Sequence, residues 1–215
     1  MKKEVVITGS IALAAILGLV LLIMFGSSGT GSPSVADAAY LVRSNSHMIG
    51  TTSAKVTIVE FGDYECPACG YAEPILEQVR AAYATNTAVN IVFRNYPLPQ
   101  HANAMIAAEA AEAAGAQGKF WQMHDLLYTH QNDWTDSSDP ESMFVSYAQT
   151  LKLNVAAFQK ALDTNAYQQV IEADQADGNA LGVSFTPSIY INGVLQQSIP
   201  ILEQFQSMIQ AALAK

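Results

Sequence analysis

Hydrophobic and polar positions divide the chain into an apolar N-terminal segment and a longer region in which strand and helix patterns alternate. Residues 5–25 are apolar except for Thr8, Ser10 and two glycines. About twenty such residues are enough to cross a bilayer as a helix. Residues 55–61 form a short run rich in β-branched side chains and bounded by Gly62, which predicts a buried strand.

A helix and a second strand follow this first strand directly. Pro67 suits the first position of a helix that the pattern predicts over 68–84, and residues 88–96 have the pattern of another strand. Because the connection runs through a helix, we expect the two strands to be parallel.

Residues 100–181 carry apolar side chains at helical spacing and contain no strand-like run. Asp139, which precedes a proline, and Asn154 are typical helix N-caps, whereas Gly182 is typical of a helix end. The pattern predicts an all-helical insertion of four or five helices, the last of them running from about Asn165 to Leu181.

Strand-like residues return at 183–195. Asn192 and Gly193 form a typical two-residue hairpin turn, so we expect residues 188–191 and 194–196 to pair as antiparallel strands. Pro200 then begins a last amphipathic helix. The predicted order is βαβ, helical insertion, ββα, which is an α/β domain.

The 215 residues have room for one domain of ordinary size after a membrane segment. The net charge of -9 argues against nucleic acid and anionic membrane surfaces as partners. We divide the chain into a cytoplasmic tip (1–4), a transmembrane anchor or signal (5–25), a linker (26–50), and two domain halves (51–99 and 182–215) that flank the helical insertion (100–181).

The N-terminal residues predict the location of the domain. Lys2 and Lys3 precede the apolar run and favour a cytoplasmic N-terminus. Residues 36–38 resemble a signal-cleavage site, but they lie far downstream of a run that is itself longer than a usual signal core. We therefore expect a single-pass membrane anchor with an extracytoplasmic domain, and a secreted domain if the segment is cleaved.

The only cysteines, Cys66 and Cys69, stand where the first predicted strand meets the first predicted helix. The unpaired N–H groups at a helix N-terminus stabilise a thiolate and lower the pKa of a cysteine there. With two residues between them, the cysteines can alternate between dithiol and disulfide within one rigid element. The pattern favours a redox centre.

Two other uses of the cysteine pair stay open at this point. Zinc requires four ligands, and the sequence has no second cysteine pair and no suitably spaced histidines, so we expect no metal site. A structural disulfide would close a very short loop and stabilise the fold little. Such a disulfide would suit a tethered binding or chaperone module.

Four motifs together resemble a known family. They are residues 60–69 (EFGDYECPAC), 93–98 (FRNYPL), 113–128 (AAGAQGKFWQMHDLLY) and 185–193 (FTPSIYING). Their order is similar to that of the DsbA-type thiol:disulfide oxidoreductases, in particular the membrane-anchored branch. The resemblance implies a thioredoxin fold, βαβ…ββα with an all-helical insertion, preceded by an N-terminal transmembrane helix.

The resemblance also implies roles for individual residues. Cys66 matches the exposed nucleophilic cysteine of the family, and Cys69 matches the buried resolving cysteine. Thr186 and Pro187 match the cis-proline pair that faces the cysteines and binds the substrate strand. Glu60 matches a buried acid beneath the cysteines that relays protons, although a glutamate at the surface of an edge strand is the alternative.

The function that the resemblance implies is disulfide formation in secreted or membrane proteins. The partners would be reduced polypeptides and a quinone-linked membrane reoxidant of the DsbB or vitamin-K-epoxide-reductase type, with the protein itself a monomer that needs no soluble cofactor. Pro67 and Ala68 stand where the most oxidising relatives have Pro-His, so we expect a less stabilised thiolate. An extracytoplasmic reductase or isomerase of the same fold is the alternative.

Overall fold

A computed structural model describes residues 35–214 of the chain. The predicted membrane segment at 5–25, the cytoplasmic tip and the first part of the predicted linker lie outside the described residues. Within residues 35–214, no helix combines the length and the apolar character that crossing a bilayer would require.

The described residues form five strands and nine helices. The strands are β1 (His47–Ile49), β2 (Val56–Gly62), β3 (Val89–Asn95), β4 (Ser188–Ile191) and β5 (Val194–Leu195). The helices are α1 (Ala38–Leu41), α2 (Pro67–Tyr83), α3 (Ala104–Gly115), α4 (Phe120–Thr129), α5 (Gln131–Trp134), α6 (Pro140–Thr150), α7 (Val155–Asp163), α8 (Gln168–Ala180) and α9 (Leu202–Leu213).

The five strands form one mixed sheet in the order β1-β3-β2-β4-β5. β2 and β3 are parallel, as the helical crossover predicts, and β4 and β5 form the predicted antiparallel hairpin. β2 lies at the centre of the sheet, between β3 and β4. The residues that follow its C-terminal end are therefore surrounded by the rest of the fold.

Both faces of β2 are covered, and its side chains alternate between them. Val56 and Ile58 pack in the cluster that includes side chains of α2 and α9, whereas Val59 and Phe61 pack in a cluster on the other face. The same alternation places Glu60 on the face of Val56 and Ile58, which α2 covers.

The helical insertion is confirmed, but six helices lie between β3 and β4. The predicted count of four or five is wrong, because helices as short as α5, with four residues, give no helical pattern in the sequence. The side chain of Asp139 accepts a hydrogen bond from the Ser142 N–H at 3.2 Å, as expected of an N-cap. The last helix of the insertion begins at Gln168, later than predicted, because Asn165 has a positive φ of 47° that a right-handed helix does not accommodate.

The C-terminal helix also begins later than predicted. Ile201 is its N-cap, with an extended backbone, and the first helical residue is Leu202. The side-chain oxygen of Gln204 accepts a hydrogen bond from the Ile201 N–H at 3.0 Å. This bond fixes the N-cap one residue after Pro200, so the first helical residue is the second one after that proline.

Part of the segment predicted as a linker belongs to the folded domain. Residues 38–41 form α1, and β1 pairs antiparallel with β3 at the edge of the sheet. Arg94 of β3, which is fully buried, donates hydrogen bonds of 2.9 Å to the carbonyl oxygens of Tyr40 and Leu41. The predicted linker 26–50 is therefore too long, because the chain from residue 35 onward packs against the sheet.

Candidate active site

Cys66 lies at the N-cap of α2, directly after the loop that leaves β2. Its backbone is extended (φ -68°, ψ 122°), and Pro67 occupies the first helical turn, as predicted. The buried carboxylate of Asp63 shapes this loop, since it accepts hydrogen bonds of 2.8 Å from the N–H groups of Glu65 and Leu98. The central strand and the helix start together place the cysteine sulfur at the carboxyl end of the sheet.

Both cysteines are free thiols in this structure. Cys66 is 7% exposed and Cys69 is fully buried. The expectation of an exposed Cys66 is wrong in this state, because the segment before β4 covers its sulfur. The burial of Cys69 agrees with the expectation of a buried second cysteine.

The two thiols have opposite shifts in pKa. A hydrogen bond from the Cys69 thiol lowers the pKa of Cys66 to about 5, with further help from the backbone N–H groups of Ala68 and Cys69 and against the effect of burial. Burial raises the pKa of Cys69 well above its ordinary value. Cys66 is therefore the thiolate at neutral pH, and Cys69 stays protonated.

This stabilisation needs no histidine between the cysteines. Pro67 and Ala68 occupy the two intervening positions, and the N–H of Ala68 is one of the groups that favours the thiolate. With Pro67 and Ala68 between the cysteines, the stabilising groups are the thiol of Cys69, the contact with Thr186 and the backbone N–H groups at the start of α2. The expectation that the thiolate is less stabilised than in proteins with Pro-His stays a prediction.

The peptide bond between Thr186 and Pro187 is cis. The carbonyl oxygen of Thr186 lies 3.4 Å from the sulfur of Cys66, and it can accept a hydrogen bond from that sulfur when the thiol is protonated. The chain thus brings the two predicted parts of the site together, as the resemblance implied.

A groove of about 260 Å³ adjoins this contact. Phe185, which is 49% exposed, contributes the largest apolar side chain to its wall. The lining residues come from the start of α2, the segment around the cis peptide bond and the segment after β5: Ala68, Phe185, Thr186, Pro187, Ile189, Gln196, Ser198 and Ile199. The groove offers an apolar surface next to a redox-active sulfur.

Glu60 is 5% exposed on the central strand. Burial raises the pKa of Glu60 to about 8, and the charges of Glu73 and Cys66 act in the same direction. Its Oε1 atom has no hydrogen-bond partner among the described residues. The alternative of a surface glutamate on an edge strand is therefore wrong, and the side chain is a protonated acid near neutral pH.

A buried polar network supports α2 from the side of the helical insertion. The Tyr64 hydroxyl lies 3.1 Å from Nδ1 of His124, and Nε2 of that histidine lies 3.3 Å from Glu73. Burial lowers the pKa of His124, so the neutral ring accepts from Tyr64 and donates to Glu73. His124 is thus a satisfied histidine at a helix interface.

The same network contains the one group of potential metal ligands found among the described residues, formed by Glu73, His124 and Asp125. Arg80 forms ion pairs with both Glu73 and Asp125, the latter at 2.8 Å. A guanidinium therefore already supplies the positive charge that these carboxylates need. Arginine pairing accounts for the cluster without a metal ion.

Sequence reasoning missed three residues that hold the cysteine loop. Asp63 also pairs with Nδ1 of His101 at 2.6 Å, and Glu65 accepts a hydrogen bond from the Asn103 N–H at 2.5 Å. Gln131 donates to two carbonyl groups of the same loop. These hydrogen bonds join residues that are far apart in the chain, so no local sequence pattern predicts them.

The chain is similar to known proteins in both sequence and fold. A family model described as "Thioredoxin" matches residues 43–211. Among solved structures, a thioredoxin-like oxidoreductase from Silicibacter pomeroyi is 26% identical and superposes with a TM-score of 0.67 over 84% of this chain and 99% of that one. Oxidised BdbD from Bacillus subtilis gives a TM-score of 0.72 at 22% identity, over 85% of this chain and 98% of BdbD.

Curated relatives include longer proteins. The Na(+)/H(+) antiporter NhaA 1 of Salinispora arenicola is 36% identical over 169 residues, which are 78% of this chain and 25% of the antiporter. The chain thus spans about a quarter of the length of such relatives. The family-model match and the structural similarity together confirm the predicted DsbA-like oxidoreductase at the level of family and fold. The chain belongs to the thioredoxin family and has the fold of the DsbA-type thiol-disulfide oxidoreductases.

Proposed function

We propose that the protein forms disulfide bonds in secreted or membrane polypeptides outside the cytoplasm, using Cys66 and Cys69 as its redox pair. The observation that carries this proposal is the opposite shift in pKa of the two thiols, downward at Cys66 and upward at Cys69. A sulfur that is stable as a thiolate is a good leaving group, which favours transfer of the disulfide to a substrate.

The first step starts from the Cys66–Cys69 disulfide. A substrate thiolate attacks the sulfur of Cys66, a bond forms between these two sulfurs, and the Cys66–Cys69 bond breaks. Cys69 leaves with the electron pair and takes up a proton, because burial strongly disfavours its thiolate. The result is a mixed disulfide between Cys66 and the substrate.

The second step releases the product. A second thiolate of the substrate attacks the substrate sulfur of the mixed disulfide, and Cys66 leaves as a thiolate with a pKa of about 5. The substrate has lost two electrons and gained a disulfide, and the protein holds one thiolate and one thiol. The redox pair itself carries these electrons, so the proposal requires no soluble cofactor.

Glu60 is the proposed proton donor to Cys69 in the first step. It is buried on the face of the sheet beneath α2, and its charge is close enough to raise the pKa of Cys69. With a pKa of about 8, the acid is protonated before the reaction and can give up its proton as the Cys69 thiolate forms.

The groove beside Thr186 is the proposed binding site for the reduced polypeptide. Its apolar wall includes Phe185, and it is also lined by Thr186, whose carbonyl oxygen lies 3.4 Å from the sulfur of Cys66. An unfolded chain exposes apolar side chains next to its cysteines, so such a surface suits many substrates. This agrees with the substrate-strand role proposed for Thr186 and Pro187.

The remaining parts of the proposal concern location and reoxidation. We propose that residues 5–25 anchor the protein in the membrane with the domain on the extracytoplasmic side, and that the domain acts as a monomer. A quinone-linked membrane protein of the DsbB or vitamin-K-epoxide-reductase type would return Cys66 and Cys69 to the disulfide. Cation transport, which the names of the antiporter relatives state, is not part of the proposal.

The experiment that tests the function uses two serine variants. Cys66→Ser removes the attacked sulfur and should abolish oxidation of a reduced dithiol peptide. In Cys69→Ser, the Cys66 thiolate can attack the disulfide of an oxidised peptide, and one peptide sulfur leaves as a thiolate. The resulting mixed disulfide should accumulate on non-reducing gels, because the variant has no second cysteine to resolve it. Full peptide oxidation by Cys66→Ser would rule out the mechanism. A Cys66 thiol that resists alkylation in the folded protein would favour the binding module with a structural disulfide.

A further inference from the structure

The side chain of Gln131 contacts the cysteine loop from outside the thioredoxin core. Gln131 begins α5 in the helical insertion, and its Nε2 donates hydrogen bonds to the carbonyl oxygens of Tyr64 at 2.7 Å and of Cys66 at 2.9 Å. The residue is 9% exposed. One buried amide therefore spans the turn between β2 and α2.

The Cys66 carbonyl has two partners. It also accepts the hydrogen bond of the Gly70 N–H at 3.1 Å, which is a bond of the first turn of α2. Gln131 thus holds the same peptide group that starts the helix. The N–H groups that face the Cys66 sulfur belong to Ala68 and Cys69, which lie in that turn.

Gly70 leaves the space that the amide occupies. A Cβ atom at this position would lie 2.3 Å from Oε1 of Gln131 and 3.0 Å from its Cδ. Glycine is unfavourable inside a helix compared with alanine. Its presence in α2 is explained by the amide of Gln131, because any side chain would displace a group that two hydrogen bonds hold in place.

We propose that Gln131 is a positioning residue for Cys66, which couples the helical insertion to the redox centre by fixing the loop on which the sulfur sits. The inference rests on the proposed thiol chemistry at Cys66. Gln131 does not touch the sulfur or the groove. It acts through the backbone, by keeping the first turn of α2 in the orientation that directs its N–H groups at the thiolate.

The test is a pH titration of the thiolate, followed by absorbance at 240 nm in the reduced full-length protein. Gln131→Met keeps the length of the side chain and removes both donated bonds, and we expect the titration midpoint of Cys66 to rise by about one unit. Gln175→Met is the matched control. This control also removes a hydrogen bond from a side-chain amide to a loop carbonyl, the 2.6 Å bond from Gln175 to Pro97. It should leave the titration midpoint of Cys66 unchanged.

Gly70→Ala perturbs the same contact from the other side. Its Cβ should displace the Gln131 amide and raise the midpoint by a similar amount. If the two residues act through one contact, the double variant with Gln131→Met shifts the midpoint no further than either single variant. Additive shifts would show that the two positions act separately and would contradict the inference.

The outcomes separate this inference from the proposed function. If the wild-type Cys66 does not titrate below pH 7, the proposed function fails. If the wild type titrates as expected but Gln131→Met matches Gln175→Met, only the role of Gln131 fails. Thermal unfolding first establishes that each variant is folded. If Gln131→Met does not fold, a wild-type midpoint in Gly70→Ala overturns the inference.

Discussion

The sulfur of Cys66 lies 3.4 Å from the carbonyl oxygen of Thr186, a residue 120 positions further along the chain. The contact joins the start of α2, which follows β2, to the segment before β4, which pairs with β2. The groove lined by Phe185 is also lined by Thr186. The proposed substrate groove and the sulfur of Cys66 therefore lie on either side of one residue, at the end of two adjacent strands.

The stabilisation of the Cys66 thiolate by Cys69 predicts a difference between two variants. Cys69→Ser keeps a hydroxyl that can donate to the Cys66 sulfur, whereas Cys69→Ala has no donor. We expect the pKa of Cys66 to be higher in Cys69→Ala than in Cys69→Ser, by about one unit. Absorbance at 240 nm against pH measures both values. Equal pKa values would show that the thiol contact is not the main cause of the low pKa.

The raised pKa of Glu60 should make the folded protein less stable as the pH rises. Its folded pKa of about 8 lies above the ordinary value of 4.5, so between these pH values the folded protein holds a proton that the unfolded chain has lost. Stability is therefore highest below about pH 4.5 for this group and falls as the pH approaches 8. Glu60→Gln should remove this slope, with a relative gain at pH 8 on the order of 4 kcal/mol.

The measurement is urea unfolding of the oxidised protein at pH 5 and pH 8, so that Cys66 does not titrate. Glu203→Gln, an exposed substitution on α9, is the control for a general effect of charge. A pH dependence in Glu60→Gln equal to that of the wild type would show that Glu60 titrates normally and is not the buried acid described above.

Arg43 and Arg94 both pair with the carboxylate of Asp177, but we expect their substitution to change the stability of the fold by very different amounts. Arg94 is fully buried and pairs with Asp177 at 2.6 Å and with Asp174 at 2.8 Å, while Arg43 pairs with Asp177 from the surface. Arg94→Met removes the guanidinium from the buried Asp174 and from the carbonyls of α1, while Asp177 keeps only Arg43, and we expect a loss of about 3–5 kcal/mol. Arg43→Met should cost about 1 kcal/mol or less.

Urea unfolding of the two arginine variants at pH 7 measures both losses. The comparison also tests whether the region before β1 is part of the folded domain, because Arg94 holds it through the carbonyls of Tyr40 and Leu41. Equal small losses in both variants would mean that the segment from residue 35 packs only loosely.

The apolar groove predicts a separation of substrate binding from sulfur chemistry. Phe185→Ser should lower kcat/KM for a reduced polypeptide roughly tenfold, about the free energy of one exposed aromatic contact. It should leave the glutathione equilibrium of the cysteines unchanged. Tyr40→Ser, which removes an exposed aromatic side chain of α1, is the control. A similar loss in both variants would place polypeptide binding elsewhere.

The order of the elements was predictable because its signals are local. The helix cap at Asp139, the turn at Asn192 and Gly193, and the proline after Cys66 each act within a few residues, and each is found at its predicted place. The helix start predicted near Asn165 is wrong by three residues, because a positive φ there delays the helix in a way that composition does not reveal.

The parts that sequence reasoning missed depend on contacts between distant residues. β1 has three residues, and pairing with β3 at the sheet edge is what makes it a strand. The hydrogen bonds from Gln131 cross 65 and 67 residues to reach Cys66 and Tyr64. The burial of Glu60 was not missed, but only the family resemblance implied it, because a run of hydrophobic residues does not specify the central place of β2.

The reduction potential of the Cys66–Cys69 pair, measured by equilibrating the full chain with glutathione, tests the central claim most directly. A protein that donates its disulfide should have a potential clearly above that of thioredoxin, which is about -270 mV. The low pKa of Cys66 predicts this result, since it stabilises the reduced form. A potential at or below that of thioredoxin, or a disulfide that glutathione does not reduce, would contradict the proposed oxidase.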